Sequence, residues 1–298
     1  MFSIIIPSLN NLEYLKLCIH SLEKNSKYKH EIIVHINEGK DGTINYLKEK
    51  KIKYTYTKYN AGICEGVNKA SKLANTEFIL YSHDDFYFCP EWDTSMVNEI
   101  KKLPNNLFYL SGTMIEKRSH KNTFLKDLDN NPYNFQEKKF LENYKKLKFS
   151  DFQGSTWAPH LIHKEIWDQV GGLSEEFYPG TGSDPDLNKK LWDIGVRVFK
   201  GLGSSRVFHF GSTVTRKFKE NKKIITETGN KGGKIFLLKW GFTIKFFRKF
   251  YLKSETNYEG PLVEPKKDLI FLFNLFKCKI FFFYIKYIYK FKNEIKIQ

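Results

Sequence analysis

At 298 residues, with 41% hydrophobic and 16% aromatic content, the chain is long enough to bury a sizeable core and too apolar to be disordered. Its formal charge is +16, and +13 of that falls after residue 210, where 20 basic residues face 7 acidic ones. A field gathered in one tail calls for an anionic surface, whether phospholipid, nucleic acid or acidic glycan. Four cysteines, Cys18, Cys64, Cys89 and Cys278, lack paired or zinc-like spacing, which predicts a reduced, cytoplasmic protein. Met1 to Pro7 has no basic leader and reads as a first strand rather than a signal peptide.

In chain order, Phe2 to Ile6 is a short apolar run closed by Pro7, the pattern of a central parallel strand. Leu12, Leu15, Ile19 and Leu22 keep helical spacing to about Asn25. Glu31 to Ile36 reads as a second strand, Ile44 to Lys50 as helix, Ile52 to Thr57 as a third strand and Gly62 to Ala74 as helix. Phe78 to Ser82 is a fourth strand. This alternation predicts a doubly wound, Rossmann-like α/β half over about residues 1–100. Beyond it the spacing predicts strands at Phe108 to Ile115, Trp157 to His163, Val196 to Phe199 and Arg206 to Phe210, and a helix from Asp186 to Ile194. Lys117 to Asp151 is a polar loop or helical excursion. The expected division is a catalytic domain over 1–213, its acceptor half about 101–213, and a basic, aromatic, helical extension over 214–298.

Within that extension, Phe236 to Leu252 and Leu269 to Phe291 are rich in phenylalanine, tyrosine and isoleucine but broken by lysines and arginines every few positions. Basic residues at that density argue against a membrane span. The same interleaving suits helices lying on an anionic membrane surface, or a helical hairpin packed on the body or on a second subunit.

The chemistry gathers first at Asp84 and Asp85, where the fourth strand ends. Ligands of open α/β sheets bind beyond the carboxyl ends of strands, and adjacent aspartates repel unless a cation or a shared proton joins them. A solvated turn, or a cap for a helix opened by Pro90-Glu91-Trp92, stays open on these residues alone.

Four local patterns occur in a fixed order: F-S-I-I-I-P-S-L-N at the start, N-A-G-I-C-E-G-V-N-K-A from Asn60, S-H-D-D after the fourth strand, and G-G-L-S-E-E-F-Y-P-G-T-G-S-D-P-D-L from Gly171, followed by V-F-H-F-G. In this order the chain resembles glycosyltransferase family 2, the inverting enzymes on the GT-A fold, over Met1 to about Thr213. The resemblance implies a mixed sheet flanked by helices. It also implies transfer of a sugar from a nucleotide-diphosphate sugar, UDP-sugar favoured, to a hydroxyl of a glycan or lipid-linked acceptor, in surface polysaccharide synthesis, with Mn²⁺ or Mg²⁺ as cofactor.

Residue by residue, the resemblance sets Pro7, Ser8 and Asn10 beside the nucleotide. Asn37 and Glu38 stand where the family carries an aspartate pair that reads the base, a departure that leaves the base open. Asn60, Gly62 and Asn68 match an N-x-G…N pattern beside the nucleoside and pyrophosphate, although Val67 replaces the usual basic residue. His83 replaces the first acid of D-x-D and is expected beside the nucleotide rather than on the metal. Asp84 lies near ribose and metal, and Asp85 and His209 bind the ion. Asp184 is the implied general base, Ser183 replacing the family's glutamate before it. Trp157, Tyr178 and Ser183 flank the acceptor side. The partners implied are the nucleotide sugar, its acceptor, an anionic membrane surface reached from the cytoplasmic face, and a second copy, with no nucleic acid.

Three other classes compete. A nucleic-acid-binding protein would explain the basic tail, but helix-turn-helix, zinc-finger and RRM signatures are missing. A dinucleotide oxidoreductase needs a glycine fingerprint, and Pro7 to Leu12 contains no glycine. An inactive sugar-nucleotide binder of the same fold is suggested by Asn37 and Ser183.

Overall fold

The computed structural model describes residues 1–117, 123–126, 128, 131–211 and 231–288. Its first half is a parallel ladder. β1 (Phe2–Leu9) lies between β2 (Glu31–Asn37) and β4 (Phe78–Tyr81), and β3 (Lys53–Thr57) flanks β2. Phe2 and Ile4–Ile6 are fully buried, as expected of a strand covered on both faces. The crossovers are α1 (Leu12–Asn25), α2 (Thr43–Glu49) and α3 (Gly62–Ser71), the last packing against β1 and β2.

The second half makes the sheet mixed. β4 pairs antiparallel with β8 (His160–His163), and β8 pairs antiparallel with β6 (Phe108–Ile115). β6 runs parallel to β9 (Val198–His209), which pairs antiparallel with both β5 (Phe86–Phe88) and β7 (Phe152–Gln153). The order is β3-β2-β1-β4-β8-β6-β9-β5. Helices α4 (Trp92–Ile100), α5 (Thr123–Lys126), α6 (Glu137–Asn143), α7 (Lys164–Gln169) and α8 (Ser183–Asp193) occupy the connections.

Three elements differ from the pattern read in the sequence. The expected strands Val196 to Phe199 and Arg206 to Phe210 are one strand, β9, with a register shift opposite Gly112 and Thr113 that absorbs the Gly-Ser-Ser stretch. Gly201 lies so close to the Phe152 ring that a Cβ there would sit 1.9 Å from it, so the missing side chain lets β7 approach. β5 has no counterpart in the expected elements, its three residues being too few to show alternation. The strand expected from Trp157 begins only at His160.

The described tail is helical over 231–240, Ile244–Phe250 and Leu269–Ile288, with an irregular segment over 251–268 between the last two. A helix over 231–240 ends at Gly241 in the left-handed region, and Thr243 then caps Ile244–Phe250 by accepting the Phe246 N–H at 3.1 Å. Asp268 caps Leu269–Phe283 in the same way, and a π-helical turn follows over Tyr284–Ile288. Ile235, Phe236, Phe247 and Phe271 join the main core alongside residues of β1 and α8. The boundary expected at 213 falls among residues outside those described, as does the end of the apolar run at Phe291.

Candidate active site

The strand pairing assembles the site. Phe86 stands opposite His209 in the β5–β9 ladder, and the Phe210 N–H donates to the Asp85 carbonyl at 3.1 Å. A residue that follows β4 is thereby fixed beside the end of β9, although 124 positions separate Asp85 from His209. His209 Nε2 lies 3.4 Å from Asp85 Oδ2, and one ligand atom each from His83, Asp85 and His209 all fall within 4.8 Å of one another. His83, expected to stay off the metal, brings a ring nitrogen to the same cluster; its imidazole stacks on Phe86 at 4.8 Å.

Burial tunes these groups. It pushes His83 down to about 4, so that ring is neutral, and neutral imidazole is the metal-binding form. Burial also pushes His209 down, but hydrogen bonds to Asp85 and Glu116 outweigh it and raise its pKa to about 9. Glu116 accepts from His209 Nδ1 at 2.5 Å, orienting the ring so that Nε2 turns to Asp85. Sequence reasoning missed Glu116. Its signal was its place directly after β6, the strand parallel to β9. Asp84 accepts a 2.7 Å hydrogen bond from Ser8, and burial together with the Asp85 charge raises its carboxyl to about 7. The Asp85 carboxylate and the His83 and His209 imidazoles form a donor set that fits a divalent ion such as Mn²⁺ or Mg²⁺, whereas Asp84, expected near the metal, is bonded to Ser8 and is not part of that cluster.

Asp184 lies in the first turn of α8, which starts at Gly182 in the left-handed region. Asp184 Oδ1 is buried without a hydrogen-bond partner, and burial raises its pKa to about 7. Burial pushes the Tyr81 hydroxyl up, and the Asp184 and Asp84 charges add to that push. Ser183 donates to the Gly180 carbonyl at 2.7 Å and tightens that start. Asp186, fully buried, accepts from Ser174 at 2.5 Å and from the Trp240 indole at 2.8 Å, with Lys239 Nζ 3.0 Å away. The 231–240 helix therefore anchors the turn that carries Asp184.

The remaining predicted residues line the ends of β1–β3 and α3. Pro7 pairs with His35 in the parallel ladder. Asn10 accepts from the Lys40 N–H at 2.8 Å and donates to Glu38 at 3.2 Å, tying the two loops together. Asn37 commits its side-chain oxygen to the Ala61 N–H at 2.8 Å. Asn60 accepts from the Gly62 N–H at 3.0 Å. A Cβ on Gly62 would meet the Tyr178 ring at 2.8 Å, and the Ile63 N–H donates to the Pro179 carbonyl, so the Tyr178-Pro179 loop lies over the α3 amino terminus. Asn68 exchanges two bonds with the Leu173 backbone, at 2.8 and 2.9 Å, and so holds a loop. Tyr178 is 42% exposed, whereas Trp157 stacks on Phe152 and buries its indole N–H without a partner.

Comparison with known proteins gives the family and the fold. The model for Glycosyl transferase family 2 matches residues 3–167, more than half of the chain. The chain belongs to glycosyltransferase family 2. An uncharacterized glycosyltransferase of Rickettsia typhi is 33% identical over 132 residues, which is 42% of this chain and 41% of that relative, so the match spans about two fifths of the relative's length. Among solved structures, S. aureus TarS 1–349 in complex with UDP has a TM-score of 0.53 at 15% identity, over 84% of this chain and 72% of that one. The same protein in complex with UDP-GlcNAc gives 0.52 at 15%, over 83% and 74%. At that identity the likeness shows the fold, and the mixed sheet of this family 2 chain is GT-A-like.

Proposed function

We propose that this family 2 chain moves a sugar from a nucleoside-diphosphate sugar to a hydroxyl of a glycan or lipid-linked acceptor, with inversion, as a step of surface polysaccharide synthesis. The observation that carries the reading is the convergence of Asp85, His209 and His83, residues from distant parts of the chain, around one point. TarS in complex with UDP-GlcNAc supports a UDP-sugar as donor.

Asp85 and His209, joined by His83, would hold a Mn²⁺ or Mg²⁺ ion, and Glu116 would keep the His209 ring turned towards it. The ion, when bound, supplies positive charge for the departing diphosphate. Asp184 takes the proton of the acceptor hydroxyl while that oxygen bonds to the anomeric carbon; the bond from that carbon to the diphosphate oxygen breaks, and the electron pair leaves with the nucleoside diphosphate. A carboxyl raised to about 7 by burial is matched to this task near neutral pH. Pro7, Ser8, Asn10, Glu38, Asn60, Gly62 and Asn68 shape the nucleotide side, and Trp157, Tyr178 and Ser183 the acceptor side.

A second reading, a sugar-nucleotide binder without transfer, draws on Asn37. Its oxygen is held by the Ala61 amide, so reading a uracil N–H through that atom competes with an internal bond. Release of nucleoside diphosphate from a panel of nucleotide sugars, with Mn²⁺, Mg²⁺ or EDTA, separates the two. Metal-dependent release that an acceptor accelerates supports the transferase. Binding by thermal shift with no release under any condition supports the alternative.

A further inference from the structure

The helix Leu269–Phe283 and the turn that continues it meet the body along one narrow stripe, with Phe271, Cys278 and Ile285 buried at seven-residue spacing. Phe271 packs on Phe246 and Phe250, at 5.0 and 5.3 Å between ring centroids. Each residue advances the helix by about 100°, so Leu269, Phe273, Phe276, Ile280, Phe283 and Tyr287 form a row on the far side. All six are at least 55% exposed, and Leu269 reaches 84%. Scattered apolar residues on a surface need no explanation, but a continuous aromatic row does.

The charges beside the row say what covers it. Lys277 lies on one flank, Lys279 and Lys286 on the other, all exposed, and Lys277 Nζ sits 4.3 Å above the Phe273 ring. Between Leu269 and Ile288 there is no acidic residue. A second copy docked on the row would bring two sets of lysines together with no carboxylate on either helix to pair them. A surface of anionic headgroups accepts the lysines on both flanks while the aromatic row sinks between them. Spanning is a poorer solution: among the described residues no helix is long and apolar enough to cross a membrane. Spanning would also carry Lys277, Lys279 and Lys286 into the hydrocarbon core.

We propose that this row is a membrane-binding site that lies in the plane of an anionic phospholipid bilayer. The site is independent of the chemistry at Asp184. The test is sedimentation of the full chain with vesicles of phosphatidylcholine alone and of phosphatidylcholine with phosphatidylglycerol, at low and high salt. Binding should be at least about tenfold stronger to the anionic vesicles and weaken with salt. The triple substitution Phe273→Ser, Phe276→Ser, Ile280→Ser should reduce it about tenfold or more, and Lys277→Gln with Lys279→Gln and Lys286→Gln several-fold. All six residues are exposed, and an unchanged melting temperature verifies folding. Wild-type binding that ignores lipid charge, or no binding at all, overturns the proposal without any variant. So does a wild-type dimer that the serine substitutions convert to monomer while vesicle binding is absent.

Discussion

Asp184 shows how one residue carries a cost in the fold and a use in the reaction. Burial lifts its carboxyl from 3.8 to about 7, because the charged form has lost water and gained no hydrogen bond at Oδ1. Its ionised form is the proton acceptor, so turnover should rise about tenfold per pH unit below 7 and level above it. Asp184→Asn should lower turnover by a thousandfold or more while donor affinity, read by calorimetry, stays near wild type. The sign for stability is opposite. Near pH 3 the carboxyl is protonated in folded and unfolded chains and costs little; above pH 7 both are ionised and only the folded chain bears a buried charge. Stability is therefore lost as pH rises from about 4 to 7, and the asparagine variant should melt higher than wild type at pH 8, by an amount on the order of a few kcal/mol, with little difference at pH 3. Glu116 gives a second residue-scale expectation. Glu116→Gln should weaken Mn²⁺ affinity by about 10 to 100-fold with nucleotide affinity in EDTA unchanged, because it orients a ligand and does not supply one.

At the scale of elements, the first four strands and three helices were legible because each is a run of one period: Phe2 and Ile4–Ile6 are buried on both faces, and Leu15, Ile19 and Leu22 follow one helix face. The Asp84-Asp85 pair was legible as a strand end. What could not be read was the register that gives the pair its meaning. β5 has three residues, and its alignment of Phe86 with His209 comes from a partner strand far along the chain. The role of Glu116 is invisible for the same reason, since a glutamate after a strand has no periodicity to report. Gly201 and Gly203 pack against Phe152 and Phe149, tertiary contacts that no local pattern reports. Asp186 stands at the expected start of a helix, and nothing local shows that it receives Trp240 and Lys239 from a helix that begins 45 positions later. Trp240→Phe keeps the ring and deletes the donor to this buried carboxylate. It should destabilise by about 1 to 3 kcal/mol in urea unfolding and lower kcat more than KM, because it loosens the turn that holds Asp184.

For the whole molecule, charge and shape divide the work. The parallel half and the β5–β9 ladder of distant segments form the end of the sheet where carboxylates and imidazoles collect, while the excess positive charge sits in the tail. The tail is joined to the catalytic half through Asp186 and through phenylalanines in the common core, so removing residues 231–288 should unfold or inactivate the protein rather than release an independent extension. Circular dichroism and urea unfolding of such a truncation test this directly; a truncated chain with wild-type stability and nucleotide affinity would contradict it.

The transferase reading rests on strands from separate parts of the chain meeting around one cation. Calorimetric titration of Mn²⁺ in the presence of UDP, for wild type, Asp85→Asn and His209→Ala, tests that meeting most directly. Two ligands to one ion predict that each substitution weakens Mn²⁺ binding by about a hundredfold, and that the double variant is little worse than either single one. Wild-type Mn²⁺ affinity in both single variants would mean that Asp85 and His209 share no ion.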